Sequence, residues 1–362
     1  MLIKVLVISD YRETQSVRPE AELFIGLQGA GVEVAIMTFG DAFYVERFRQ
    51  ASIRVVDFHP VKKFDNKEKE RIRQELLAGQ YDVVHLFNSR AIINGIRAAR
   101  GLPVKVVLYR GYTGNIHWYD PTAYLKYLHP RVDKIVCSSG TTAEQIQRQL
   151  FFKKDKAIAI RKGHDRGWYE GIEPTSLGLP PEVFQVVCVA NNRPVKGVKH
   201  LLKATWHLPP ELPIHMILVG KDMDAGEGRA LIDGSPNRDK IHLTGYRTDV
   251  LNIVTGADLV VLASLFAEAN TKAVLEAMSL GVAPVVTAIP GNRELVLHER
   301  CGLVVKPGDP KAIAEAILRL YHDRVLVGRL GRAARQHILD NFNIETSISQ
   351  TKALYESLIH KE

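Results

Sequence analysis

Residues 265–296 read LFAEANTKAVLEAMSLGVAPVVTAIPGNRELV: a loop, a helix, a glycine stop and a buried strand in succession. Asn270 or Thr271 is of the type that caps a helix, Ala273, Val274, Leu275, Ala277 and Met278 continue it, and Gly281 ends it. The strand that follows, APVVT, is apolar throughout, as a strand covered on both faces must be. A helix feeding such a strand belongs to a strand-helix-strand unit and predicts a parallel sheet. Glu268 falls in the loop ahead of the helix and Glu276 inside it, eight positions on. The unpaired N–H groups near 271–273, at the positive end of the helix dipole, suit a diphosphate, to which Lys272 adds a charge. By spacing alone, the two glutamates are more simply a solvated pair on a surface loop and helix.

On either side of this segment the same alternation recurs. IKVLVIS, VEVAIMTF, YDVVHLF, VKVVLYR and KIVCSS read as buried strands before residue 140, and QVVCVA, IHMILVG, KIHLTG, DLVVLA, APVVT and GLVVK as a second series after Trp168. Helices are predicted between them, at 19–30 with Pro19 in the first turn, at 198–207 and at 271–280. Residues 171–181, with Pro174, Gly178, Pro180 and Pro181, have linker composition. The reading is therefore a first α/β domain at 1–170, a linker at 171–181, a second domain at 182–342, and a last helix at 343–362. Ligands bind such sheets at the carboxyl ends of the strands, so the site is expected to draw on loops of both halves.

Composition narrows the classes. The chain has 362 residues, 46% hydrophobic and 24% charged, the values of a folded globular protein of two domains. MLIKVLVISD is too short and too soon interrupted for a signal sequence, and no apolar run is long enough to span a bilayer. Cys137, Cys188 and Cys301 are dispersed and read as buried free thiols of a reducing cytoplasm. A formal charge of +8 favours anionic partners without choosing among them. No nucleic-acid-binding module appears, and neither series opens on the G-x-G-x-x-G turn of a dinucleotide-dependent oxidoreductase.

The 265–296 block is similar to the E-x-x-x-x-x-x-x-E block of retaining glycosyltransferases of family 4, including the following E-A-M-x-x-G-x-x-P-V-V run. VANNRPVKGVKHLL resembles that family's phosphate-binding loop, with Lys196 and Gly197 matching its Lys-Gly pair. Asn191 stands where an arginine is usual, and Arg193 lies two positions later. LVGKD, containing Gly220, then LTGYRTDVLNIVTGADLVVLAS and GLVVKPGDPKAIAEAI, follow in family order. RKGHDRGWY resembles the N-G-V-D turn, with Lys162 in place of Asn.

The resemblance implies the GT-B fold: two Rossmann-like, doubly wound parallel-sheet domains facing across a cleft, with the last helix returning to the first. It implies a nucleoside diphosphate sugar as donor and no cofactor. Lys196, Glu268 and Arg193 are then the catalytic candidates. Glu276 is on the ribose, Glu268 on the donor sugar, and Asn270, Thr271, Lys272 and Gly220 are around the donor. The resemblance offers no catalytic base. No His/carboxylate cluster has metal-ligand spacing, so a metal-independent reaction is expected.

The first domain fits the family only in outline. DYRETQSVRPEA lacks the glycine-rich loop that often follows the first strand, leaving Arg12 and Arg18 as its cations. Arg110 and Gly111 replace the usual His-Gly or His-Asp pair, so Arg110 is a candidate for a donor phosphate and His117 for a hydroxyl. Phe151 and Phe152 beside Lys153, Lys154, Lys156, Arg161, Lys162 and Arg166 suggest contact between the 148–166 region and an anionic membrane or glycolipid acceptor. The simpler alternative is a core Phe pair with a solvated basic loop. Expected is transfer to a glycan or glycolipid in lipopolysaccharide or surface-polysaccharide assembly. A sugar-nucleotide epimerase or an inactive relative of the same fold remains the alternative.

Overall fold

The computed structural model describes residues 2–12, 14–266 and 271–359. The chain forms two compact units, one of residues 1–164 and 342–362, the other of residues 165–341.

The first unit is built on seven parallel strands: β1 (Ile3–Ile8), β2 (Val32–Thr38), β3 (Arg54–Asp57), β4 (Val83–Leu86), β5 (Lys105–Arg110), β6 (Lys134–Cys137) and β7 (Ala157–Ala159), in the order β3-β2-β1-β4-β5-β6-β7. Successive residues of β1 enter opposite cores. Leu6 and Ile8 join Ile72, Leu86 and Ile92, whereas Val5 and Val7 join Phe24, Leu27 and Tyr355. Helices cover both faces, which is why the strand sequences show no polar alternation. The first helix, Thr14–Gly29, begins five residues before Pro19, which therefore lies inside it and not in its first turn. At that position the ring removes one backbone donor near the helix start, and the following turns stay intact.

The last helix, Ile344–Ile359, belongs to this unit and packs along Thr14–Gly29. Gly26 makes room for it, since a Cβ there would stand 2.1 Å from Ile348 Cδ1. Leu354, Tyr355 and Leu358 enter the core, and the Tyr355 hydroxyl lies 2.7 Å from His85 Nδ1 on β4. Ser347 Oγ donates to the Arg161 carbonyl at 2.8 Å, and Lys352 Nζ to that of Ala30 at 2.7 Å.

The second unit carries six parallel strands, β8 (Phe184–Val189), β9 (Ile214–Val219), β10 (Ile241–Gly245), β11 (Leu259–Leu262), β12 (Ala283–Thr287) and β13 (Leu303–Val305), in the order β10-β9-β8-β11-β12-β13. The units divide between His164 and Asp165, ahead of the 171–181 segment. That segment is fastened to the second unit: Thr175 N–H donates to Asn252 O at 3.2 Å, Asn252 Nδ2 to Glu173 O at 2.8 Å, and Leu177 and Leu179 pack on its core. In each sheet the strand order reverses beside the first strand, at β1/β4 and at β8/β11. Two crossovers leaving in opposite directions open a crevice there, at the carboxyl ends of the strands.

Tyr355→Phe deprives buried His85 of its partner, and chemical denaturation is expected to show a loss of about 1–3 kcal/mol. Burial also holds His85 down to about 3 and His59 down to about 4. Both stay neutral in the folded chain while unfolded imidazole takes a proton below about pH 6.5. The unfolded state binds more protons in this window, so their contribution to stability is lost as pH falls from about 6.5 towards 4. Thermal melts of His85→Gln are expected to depend less steeply on pH across that window than those of the parent chain.

Candidate functional site

In the second unit the segments leaving β8, β9 and β11 are locked together through their backbones. After β8 the chain passes Asn191, Asn192 and Arg193, makes a 3-10 turn over Pro194–Lys196, and enters the Val198–Ala204 helix through Gly197. Gly197 has φ +63°, and a Cβ on it would lie 2.0 Å from Ala263 O, at the end of β11. Leu265 N–H donates to Val195 O at 2.8 Å, which fixes the Lys196 turn against the chain that continues to Glu268 and Thr271. Gly220, at the end of β9, has φ +148° and admits no Cβ, which would meet Ala190 O at 1.6 Å. Its contribution is this close backbone approach. Asn191, at the family's arginine position, instead accepts from Lys221 N–H at 3.2 Å.

The helix beyond β11 spans Lys272–Ser279, with Thr271 as the capping residue in extended geometry and Gly281 at φ +79° after its end. Thr271 and Glu276 are buried, and no Thr271 side-chain bond caps the helix. First-turn N–H groups have no carbonyl within their own helix, and they stand here at the carboxyl edge of the sheet. Lys272 Nζ lies 2.6 Å from Glu276 Oε1. Lys272 thus pairs one turn along its helix, where i and i+4 side chains meet. Glu268 and Asn270 lie outside the described residues.

Lys196 is half-buried and Arg193 exposed. Burial pushes the Cys188 thiol up to about 12, with the Lys196 ammonium pulling against it. Cys137, Cys188 and Cys301 are all free and buried. A cavity of about 310 Å³ opens beside the loop, bounded by Arg193, Lys199, His200, Glu227 and Leu265. The expectation of a metal-free site passed over one Asp-x-Asp sequence, Asp222-Met223-Asp224, just after β9. There Met223 is buried, and Asp224 approaches Arg229 at 3.9 Å. Among the described residues no three His, Cys, Asp or Glu side chains gather as a metal site, and no helix is long and apolar enough to cross a membrane.

In the first unit Arg110 is buried and committed to its own loop. Its Nε donates to Tyr112 O at 2.9 Å, its Nη2 donates to Gly114 O, and the guanidinium stacks 3.5 Å over the Tyr112 ring. Folding thus commits two of its donors to carbonyls of its own loop. His117 is exposed and stacks on Tyr119 at 5.0 Å; with Arg110, Gln145 and Arg148 it lines a cavity of about 250 Å³. Arg12 forks onto Asp10 at 3.0 and 2.7 Å and lies 3.9 Å over Phe39.

Two of the cations expected on a basic surface face elsewhere. Lys162 Nζ is 3.9 Å from buried Glu20 and 4.8 Å over the Tyr109 ring, and Arg161 lies 5.0 Å over Phe342. Burial raises the Glu20 carboxyl above its usual range, with Lys162 opposing. Phe151 and Phe152 are exposed, so the core-pair alternative is set aside. The Glu20–Lys162 contact was not foreseen; Lys162 replacing the family's Asn was its one signal.

Comparison with known proteins agrees with this geometry. The model described as Glycosyltransferase Family 4 matches residues 21–167, and that of Glycosyl transferases group 1 matches residues 172–337. The UDP-Gal:alpha-D-GlcNAc-diphosphoundecaprenol alpha-1,3-galactosyltransferase of Escherichia coli is 26% identical over 300 residues, 77% of this chain and 76% of that protein. The N-acetyl-alpha-D-glucosaminyl L-malate synthase of Bacillus anthracis is 25% identical over 217 residues, 60% of this chain and 53% of that one, so the match spans about half its length. A glycosyltransferase structure from Rickettsia africae ESF-5 superposes with a TM-score of 0.84 over 100% of both chains at 17% identity, a likeness of fold. With two parallel sheets of seven and six strands, a Lys-Gly loop locked to the segment after β11, and both models in their proper order, the chain belongs to the family 4 glycosyltransferases of GT-B fold.

Proposed function

We propose that this chain transfers a glycosyl group from a nucleoside diphosphate sugar, with retention of configuration, to a glycan or glycolipid acceptor during assembly of lipopolysaccharide or another surface polysaccharide. The observation that carries this reading is the union of the Lys196 turn with the segment leaving β11, at the point where the strand order reverses. A cationic turn and a helix start on neighbouring parallel strands are suited to one diphosphate. The UDP-hexose donor and diphosphoundecaprenol-linked acceptor in the name of the Escherichia coli relative supply the substrate classes.

In this reading Lys196, Arg193 and the amides near Thr271 meet the charge that develops as the diphosphate departs, the step in which fixed donors help most. Glu276, held by Lys272, accepts from the ribose, and Glu268 contacts the donor sugar. Gly197 and Gly220 keep the loops close enough for this. Arg110 acts as a support for its loop, and His117 is left as a hydroxyl-orienting candidate. The reaction needs no metal. The three buried free thiols favour a reducing compartment, and the acceptor class favours the inner face of the plasma membrane, met through the 148–166 region.

Lys196→Ala is expected to lower kcat by about 100–1,000-fold with the fold unchanged. Glu276→Gln is expected to raise the donor KM more than it lowers kcat, because a ribose contact serves ground and transition states alike. Radiolabelled transfer from a panel of UDP-hexoses measures both. Sugar isomerisation, or donor binding without turnover, would replace this reading with an epimerase or an inactive relative. Full activity in excess EDTA is expected, whereas loss restored by added Mg²⁺ or Mn²⁺ would place a cation in the reaction.

A further inference from the structure

We propose that an aromatic ridge on the first unit, made by Trp118, Tyr119, Phe151 and Phe152, inserts into the interface of an anionic bilayer and seats the enzyme there; this deepens the reading of a lipid-carried acceptor and rests on it. These four side chains are 53%, 65%, 65% and 85% exposed, and they come from two separate stretches of chain. The Trp118 and Phe151 rings meet at 5.6 Å and 74°, and Trp118 and Tyr119 at 5.8 Å and 84°. The ridge is preorganised. Trp118 N–H donates to Gln149 Oε1 and Gly114 N–H to Gln145 Oε1, both at 3.1 Å, fixing the loop after β5 to the Gly140–Gln149 helix. Tyr124 Oη donates to Trp118 O at 2.9 Å, and Arg110 braces the same loop from beneath.

The charge around the ridge points to the occupant. Arg148, Lys153, Lys154 and Lys156 lie within nine residues of sequence; Glu144 approaches Arg148 at 3.9 Å, and Lys134 neutralises Asp155 at 3.0 Å. Trp118 and Tyr119 carry the polar handles that suit the headgroup level, whereas Phe151 and Phe152 have none and gain only by leaving water. Cations of one sign beside projecting aromatics match an anionic lipid surface, where headgroup charge and the acyl boundary are met together.

Sedimentation of the whole protein with phosphatidylcholine vesicles, with and without phosphatidylglycerol, tests the proposal. Binding to the anionic vesicles is expected. The Phe151→Ser, Phe152→Ser double variant should weaken it about tenfold or more at low and high salt, because each phenylalanine contributes by burial. A Lys153→Gln, Lys154→Gln variant should weaken it at low salt and match the parent at high salt, where the charges are screened. The thermal unfolding midpoints of both variants should stay at the parental value, confirming that each is folded. Parental vesicle binding by the double phenylalanine variant overturns the ridge, as does binding of the parent chain to soluble oligosaccharides and not to vesicles. Turnover is scored separately: a chain that binds vesicles through the ridge but transfers no sugar refutes the assigned reaction and leaves the surface standing.

Discussion

The convergence of the loops at the carboxyl edge of the second sheet depends on backbone approaching backbone more closely than any side chain permits. At Gly197 the turn bearing Lys196 presses on Ala263, and at Gly220 the exit of β9 presses on Ala190. Both contacts lie at the carboxyl ends of strands in the middle of the second sheet, where the order reverses. Parallel strands buried on both faces leave no room for functional side chains along their length. The chemistry is therefore concentrated in the loops that leave them, and the two glycines set how tightly those loops converge.

Much of this was legible because burial on both faces leaves a strong mark. Val5, Leu6, Val7 and Ile8, or Leu259 to Leu262, are read without ambiguity as strands that two helical layers cover. The edge strands β3 and β7 escaped notice, since RVVD and AIA are short and carry polar or small residues on an open margin. Pro19 misled the placement of the first helix start because the segment before it contains no breaker, so the helix begins earlier. The order of the second-domain motifs was readable as a family pattern. The union of Lys196 with the β11 exit was not, because it depends on a hydrogen bond between residues far apart in the chain.

Side-chain commitments were the least legible part. Arg110, Lys162 and Lys272 all read as available cations, and each is drawn to a different local partner: carbonyls of its own loop, a buried glutamate, and the carboxylate one helical turn on. A charge in a sequence states what it can pair with and leaves the pairing to the folded neighbourhood. Phe151 and Phe152 could be read as a membrane-facing pair or as a core pair, and their position on a turn after a helix left them outside. Trp118 and Tyr119 passed unnoticed because their loop is given its shape by Arg110, Gln145 and Gln149, residues on two other elements.

The last helix completes the core of the unit that the amino terminus begins, between Phe24, Val7 and Tyr355. During synthesis the first unit accordingly emerges without its final layer, and the whole of the second unit is made before that layer arrives. The second unit is continuous and closes its own core as soon as it has left the ribosome. The first must hold a partly uncovered β1–β4 surface until residues 344–359 follow, so the half of the chain that is translated first is the half that finishes folding last.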